Sequence, residues 1–193
     1  MIEEALTLKT EQQYFEEAKP IATYMQEMTE LKDDSHAIYE KFDVPHDGFI
    51  ERLAGQDWHI LAITEDWCGD AMLNNPIIRK VTEAANVPMR AVLRDADTDL
   101  IDRYLTNGGR AIPIYIILNA AGEVVATWGP RAPELQQEVM DKRAELPAQD
   151  DPTFKEAQLA MYTAIRNENV TTPMKWQYVY QDFKRVVEKA FVK

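Results

Sequence analysis

Between Thr10 and Leu31 the apolar residues Tyr14, Ala18, Ile21, Met25 and Met28 recur at steps of four and three, which lays one apolar stripe along a helix. Thr10 and Gln13, three places apart, read as a capping box at its start, and Pro20 kinks the helix or restarts it from a first-turn position. A second, short helix after Ser35 carries Ile38, Tyr39 and Phe42. It ends before Pro45, because the residue preceding a proline disfavours the α region. Asp47-Gly48 then turns the chain.

From His59 the period changes. His59 to Thr64 is a short, nearly continuous apolar run, the pattern of a strand buried on both faces. A helix follows from Cys68 to Ala85, interrupted by Pro76, with Ile77, Ile78 and Val81 inward. Val87 to Leu93 supplies the next strand, and Asp97-Thr98 opens a helix through Ile101 and Leu105. This alternation predicts an α/β fold containing a parallel strand pair with a right-handed crossover. Ile112 to Leu118 is rich in β-branched residues, and Asn119-Ala120-Ala121-Gly122 joins it to Glu123 to Trp128 as a hairpin. Pro133 begins a helix to Leu146 with Leu135, Val139 and Met140 inward. After a linker at 147–152 come two more helices. In the last, Trp176, Val179, Tyr180, Phe183, Val187, Ala190 and Phe191 form an apolar stripe that docks on its own domain.

Composition narrows the function classes. With 193 residues the chain is long enough for one domain with additions. Its 33 acidic residues against 21 basic ones give a net charge of -12, which leaves no cationic excess for nucleic acid or for an anionic membrane surface. The single Cys68 rules out an intrachain disulfide and a multi-cysteine zinc site, and His36, His46 and His59 have no metal-ligand spacing. No metal or other cofactor is implied. The acidic start, Met1 to Ala5, lacks the pattern of a signal peptide, so the expected compartment is the cytoplasm.

Cys68 sits where a buried strand meets a helix. A thiol there faces free N–H groups and the positive end of the helix dipole, which favour the nucleophilic thiolate. Trp67-Cys68-Gly69, Pro76 eight residues after the cysteine, and Gly109-Arg110-Ala111-Ile112-Pro113 leading into a hairpin that ends Trp128-Gly129 resemble the thioredoxin family over residues 55–146. The resemblance implies a three-layer thioredoxin-like fold with a mixed four-stranded sheet ordered 88–94, 60–66, 113–118, 123–128. It also implies a cis Ile112-Pro113 bond facing the sulfur. Residues 1–54 and 147–193 become helical extensions packed on that core.

The departures carry as much weight as the match. Ala71 stands where the family has its resolving cysteine, so dithiol reduction is excluded; Ala62 replaces the buried Asp that assists that second thiol. Glu65, Asp66 and Asp70 crowd Cys68, and nearby carboxylates favour the neutral thiol. Arg110 is the cation expected near the sulfur. Two functions fit. One is a monothiol oxidoreductase in which Cys68 attacks mixed disulfides of protein or low-molecular-weight thiols. The other is a redox-inactive module that binds a protein segment or ligand in a groove beside Pro113. The candidate site in either case is Cys68 with Trp67, Gly69, Asp70, Ala71, Arg110, Ile112 and Pro113.

Overall fold

A computed structural model of the chain describes residues 7–191. The acidic residues 1–5, on which the compartment expectation rests, lie outside them. The amino-terminal part contains α1 (Glu11–Glu17), β1 (Lys19–Pro20), α2 (Ile21–Glu27), α3 (Lys32–Lys41) and α4 (Phe49–Ala54). The capping box forms: the Gln13 N–H donates to Thr10 Oγ1 at 3.2 Å and the Thr10 N–H to Gln13 Oε1 at 2.8 Å. The stripe from Tyr14 to Met28 is buried, yet it spans two helices, because Ala18 is extended and Lys19 and Pro20 pair antiparallel with Ala91 and Arg90. A proline is tolerated on an edge strand, where its missing N–H interrupts no ladder. Helix α3 starts at Lys32, before Ser35, and α4 is too short for its period to be read from sequence.

The sheet has five strands rather than four, β1 being the addition. With β2 (His59–Thr64), β3 (Met89–Leu93), β4 (Ile114–Leu118) and β5 (Val124–Trp128) the order is β1-β3-β2-β4-β5. β2 and β3 are parallel, with Ile60 opposite Met89, and β4 runs antiparallel to both β2 and β5. Alternate residues serve opposite faces. Ile60, Ala62, Tyr115 and Ile117 join a core shared with α2, α3, α9 (Pro173–Ala190) and α5 (Gly69–Ala84), whereas Leu61, Ile63, Ile114, Ile116 and Leu118 join one closed by α1 and α6 (Thr98–Ile101). Burial on both faces is why these strands read as unbroken apolar runs.

Helix α5 tolerates Pro76 for an identifiable reason. A proline inside a helix deprives the carbonyl four residues back of its donor, here that of Met72. Ser35 of α3, fully buried, supplies the replacement: its hydroxyl donates to the Met72 oxygen at 3.0 Å. Asn75, beside the proline, donates to Thr64 Oγ1 at 3.0 Å and accepts from the Tyr115 hydroxyl at 2.7 Å, tying α5 to β2 and β4.

The chain closes with α7 (Pro133–Ala144), α8 (Phe154–Thr171) and α9. The stripe of α9 docks on the chain's own core: Val179, Tyr180, Phe183 and Val187 are fully buried, and the Trp128 indole N–H donates to Asp182 Oδ2 at 2.8 Å. Met140, expected inward, is 53% exposed, because Leu135 and Val139 define the buried face of α7 and Met140 stands one residue round from it.

Candidate functional site

Thr64 ends β2 and Gly69 begins α5, so Cys68 takes the N-cap position with extended φ and ψ of -83° and 120°. Its Sγ donates to the Ile112 carbonyl oxygen at 3.5 Å, and the Ile112-Pro113 peptide bond is cis. Cys68 is only 9% exposed and packs with Ala71, Ile112 and Ile114. Burial is the largest influence on the thiol and, with the Asp70 carboxylate, pushes it up to about 11 against the opposing N–H groups of Ala71 and Asp70 and the Arg131 charge. At this helix start burial and the Asp70 carboxylate outweigh the N–H groups that favour a thiolate.

The acidic cluster divides. Glu65 accepts from the Asp95 N–H at 3.0 Å. Asp66 accepts from the Thr29 N–H at 2.9 Å, the Thr29 hydroxyl at 3.0 Å and the Glu30 N–H at 3.3 Å, and these bonds hold its carboxyl below the usual range. Asp70 alone acts on the sulfur. Arg131 forks onto it, with Nε 3.0 Å from Oδ1 and Nη2 2.8 Å from Oδ2. Burial raises the Asp70 carboxyl above its ordinary value, with Arg131 opposing.

Arg110 is not the cation of the site. It binds Asp102 through contacts of 2.7 and 3.0 Å on the surface. Arg131 takes the expected place, set by the loop after β5. There Gly129 has φ +118°, and a Cβ on it would stand 2.3 Å from the Pro113 carbonyl oxygen. The Pro130 oxygen accepts from Asn74 Nδ2 at 2.8 Å. The Trp128-Gly129 pair was the sequence signal for this loop, though nothing in it singled out Arg131.

Beside the thiol lies a cavity of about 390 Å3. Trp67, Cys68, Gly69 and Asp70 form one wall with Arg131, and Val139, Tyr162, Ile165, Arg166 and Asn169 form the other. Ile112 and Pro113 are buried behind the sulfur and do not line it, nor do Ala71 and Arg110. The cavity beside the thiol is walled by α8 rather than by Pro113. Tyr162, Arg166 and Asn169, at steps of four and three, share one face of that helix and were not anticipated; their spacing was the only signal. Trp67 is 47% exposed with the Arg94 guanidinium 4.9 Å over its ring. Among the described residues no three His, Cys, Asp or Glu side chains converge as a metal site, and no helix is long and apolar enough to cross a membrane.

A mixed sheet in this order, with a cysteine capping the helix after β2 and a cis-proline loop against its sulfur, defines a thioredoxin-like protein. The family model described as Thioredoxin matches residues 18–146, more than half of the chain, and the chain belongs to that family. The match begins well before residue 55, so α2, α3 and α4 fall within it; α8 and α9 lie beyond it. Among solved structures the chain is similar to an HIV epitope-scaffold, with a TM-score of 0.64, 15% identity and coverage of 94% of this chain and 99% of that one. It is also similar to a protein of unknown function from Pseudomonas aeruginosa, with a TM-score of 0.59, 14% identity and coverage of 85% and 96%. At such identities the likeness concerns the fold alone. No curated protein matches the chain significantly.

Proposed function

We propose that the protein is a thioredoxin-fold binding module whose Cys68 thiol stays protonated at neutral pH and contacts a bound molecule rather than attacking it. The reading rests on one observation: the sulfur is buried, donates to the Ile112 carbonyl and stands beside the Asp70 carboxylate. A thiol is a weak nucleophile until it ionises, so each of these features slows exchange. The cavity gives such a module its binding surface.

Monothiol exchange with mixed disulfides is the second reading, favoured by the Asp70 and Ala71 N–H groups that stabilise charge on the sulfur. Ala71 supplies no resolving thiol, so an external protein or low-molecular-weight thiol would have to complete turnover.

The rate of Cys68 alkylation across pH separates the two. The binding reading expects a midpoint above the free-thiol value of about 8.5, and a downward move of about one unit in Asp70→Asn, which removes the repulsion. A wild-type midpoint well below that value, with catalytic reduction of a mixed disulfide by added thiol, would overturn it in favour of exchange.

A further inference from the structure

We infer that the cavity beside Cys68 binds a small carboxylate with an apolar arm, gripped by Arg166, Tyr162 and Asn169 of α8. The inference rests on the binding reading above and names the ligand class for the same site. Asn169 lines the cavity and is 4% exposed, and its Oδ1 is buried with no hydrogen-bond partner. Nor does any group among the described residues accept from its amide nitrogen. Buried side-chain amides are nearly always satisfied, so one left unpaired on a cavity wall calls for partners from outside. The two ends ask for different partners: Oδ1 is an acceptor and pairs only with a donor, which the amide N–H of an acylated amino acid supplies, whereas the amide nitrogen is the end that can donate to a carboxylate.

The groups around it are donors. Arg166 has no carboxylate partner among the described residues. The Tyr162 oxygen accepts from Arg143 Nε at 2.8 Å and Nη2 at 2.5 Å, which leaves its own O–H free to donate. The one carboxylate on the wall, Asp70, is already held by the fork of Arg131, so with Arg166 the wall carries one cation in excess. Glu168, next to Asn169, is bound by Lys142 and Lys175. In a chain with a net charge of -12 this is a local positive spot, and a guanidinium with free N–H groups matches a carboxylate in geometry as well as charge.

The remaining wall is apolar. Val139 and Ile165 are buried and Trp67 presents its ring, which suits a hydrocarbon arm. A volume of about 390 Å3 falls at the low end of small-molecule sites, about 300–1,000 Å3, and fits a molecule the size of an acylated amino acid.

N-acetyl-leucine and N-acetyl-leucinamide differ only in the carboxylate and make the test. Titrated into the 15N-labelled full chain, N-acetyl-leucine is expected to shift the Trp67 indole and Asn169 side-chain amide signals. The amide should bind at least about tenfold more weakly, and Arg166→Gln should weaken N-acetyl-leucine by about the same factor. Arg110→Gln, outside the cavity, should leave the affinity unchanged, and an unaltered melting temperature for Arg166→Gln should show that the fold survives. Equal binding of the two probes, an unchanged affinity in Arg166→Gln, inorganic phosphate shifting the same signals at the same concentrations as N-acetyl-leucine, or no shift at these signals would overturn the inference. Cys68 alkylation keeps the two failures apart: a high midpoint without carboxylate binding removes only the ligand assignment, whereas a low midpoint with disulfide turnover removes the binding reading itself.

Discussion

A cysteine at a helix N-terminus feels opposed influences, and their sizes decide its state. The helix dipole is worth about 0.3–1 kcal/mol at an exposed end, whereas burial moves a thiol by more than that. At Cys68 burial is the larger, and the Asp70 carboxylate adds to it. The position of Cys68 was legible in Trp67-Cys68-Gly69, but the direction in which its thiol is pushed was not, because burial depends on Ile112 and Ile114 arriving from elsewhere in the chain. The same limit explains Arg110 and Arg131: adjacency in sequence put Arg110 beside the Ile112-Pro113 pair, while the fold sends it to Asp102 and brings Arg131 to Asp70. The raised thiol has a consequence for stability. Its folded pKa exceeds the unfolded one, so the contribution is fully present below about pH 8.5 and is lost as pH rises towards about 11. The loss should be of the order of 2–3 kcal/mol in the wild type. Urea unfolding at a series of alkaline pH values should show this loss, and Cys68→Ser should remove that part of the slope.

Elements were legible where their period was long and their register local. The α9 stripe, the β4–β5 hairpin and the β2-α5-β3 unit follow from spacing alone, since burying one helix face or both strand faces needs a regular repeat. Shorter elements escaped. Lys19 and Pro20 form an edge strand only because Ala91 and Arg90 of β3 lie alongside, and α4 has too few residues to display a period. Pro76 could be read as a helix breaker, but its repair by Ser35 requires α3 to pack on α5. The loop after β5 offers a sharp test. Gly129→Ala places a Cβ 2.3 Å from the Pro113 carbonyl oxygen at φ +118°, a backbone clash in a strained region. It should cost at least about 2–3 kcal/mol by urea denaturation. Gly69→Ala, whose Cβ meets nothing within 4 Å, should stay within about 0.5 kcal/mol of wild type.

On the scale of the molecule, the helices after residue 146 complete the protein rather than decorate it. Phe183 of α9 is fully buried, and its ring meets Trp128 of β5 edge-on with centroids 5.7 Å apart. Phe183→Ala should therefore cost about 3–5 kcal/mol in a single cooperative transition; a loss below about 1 kcal/mol would mean that α9 is a detachable appendage. Helix α8 closes the cavity with Tyr162, Arg166 and Asn169, so the site is assembled from residues nearly a hundred positions apart. By itself the sequence determined the class of fold, the place of the one thiol and the absence of a resolving partner at Ala71, because each depends on local period or on residue identity. Tertiary structure alone decided that burial and Asp70 push the thiol up, that Arg131 rather than Arg110 answers Asp70, and that α8 walls the site. Those outcomes depend on distance and desolvation between segments remote in the chain, and neither quantity is encoded in the spacing of residues along it.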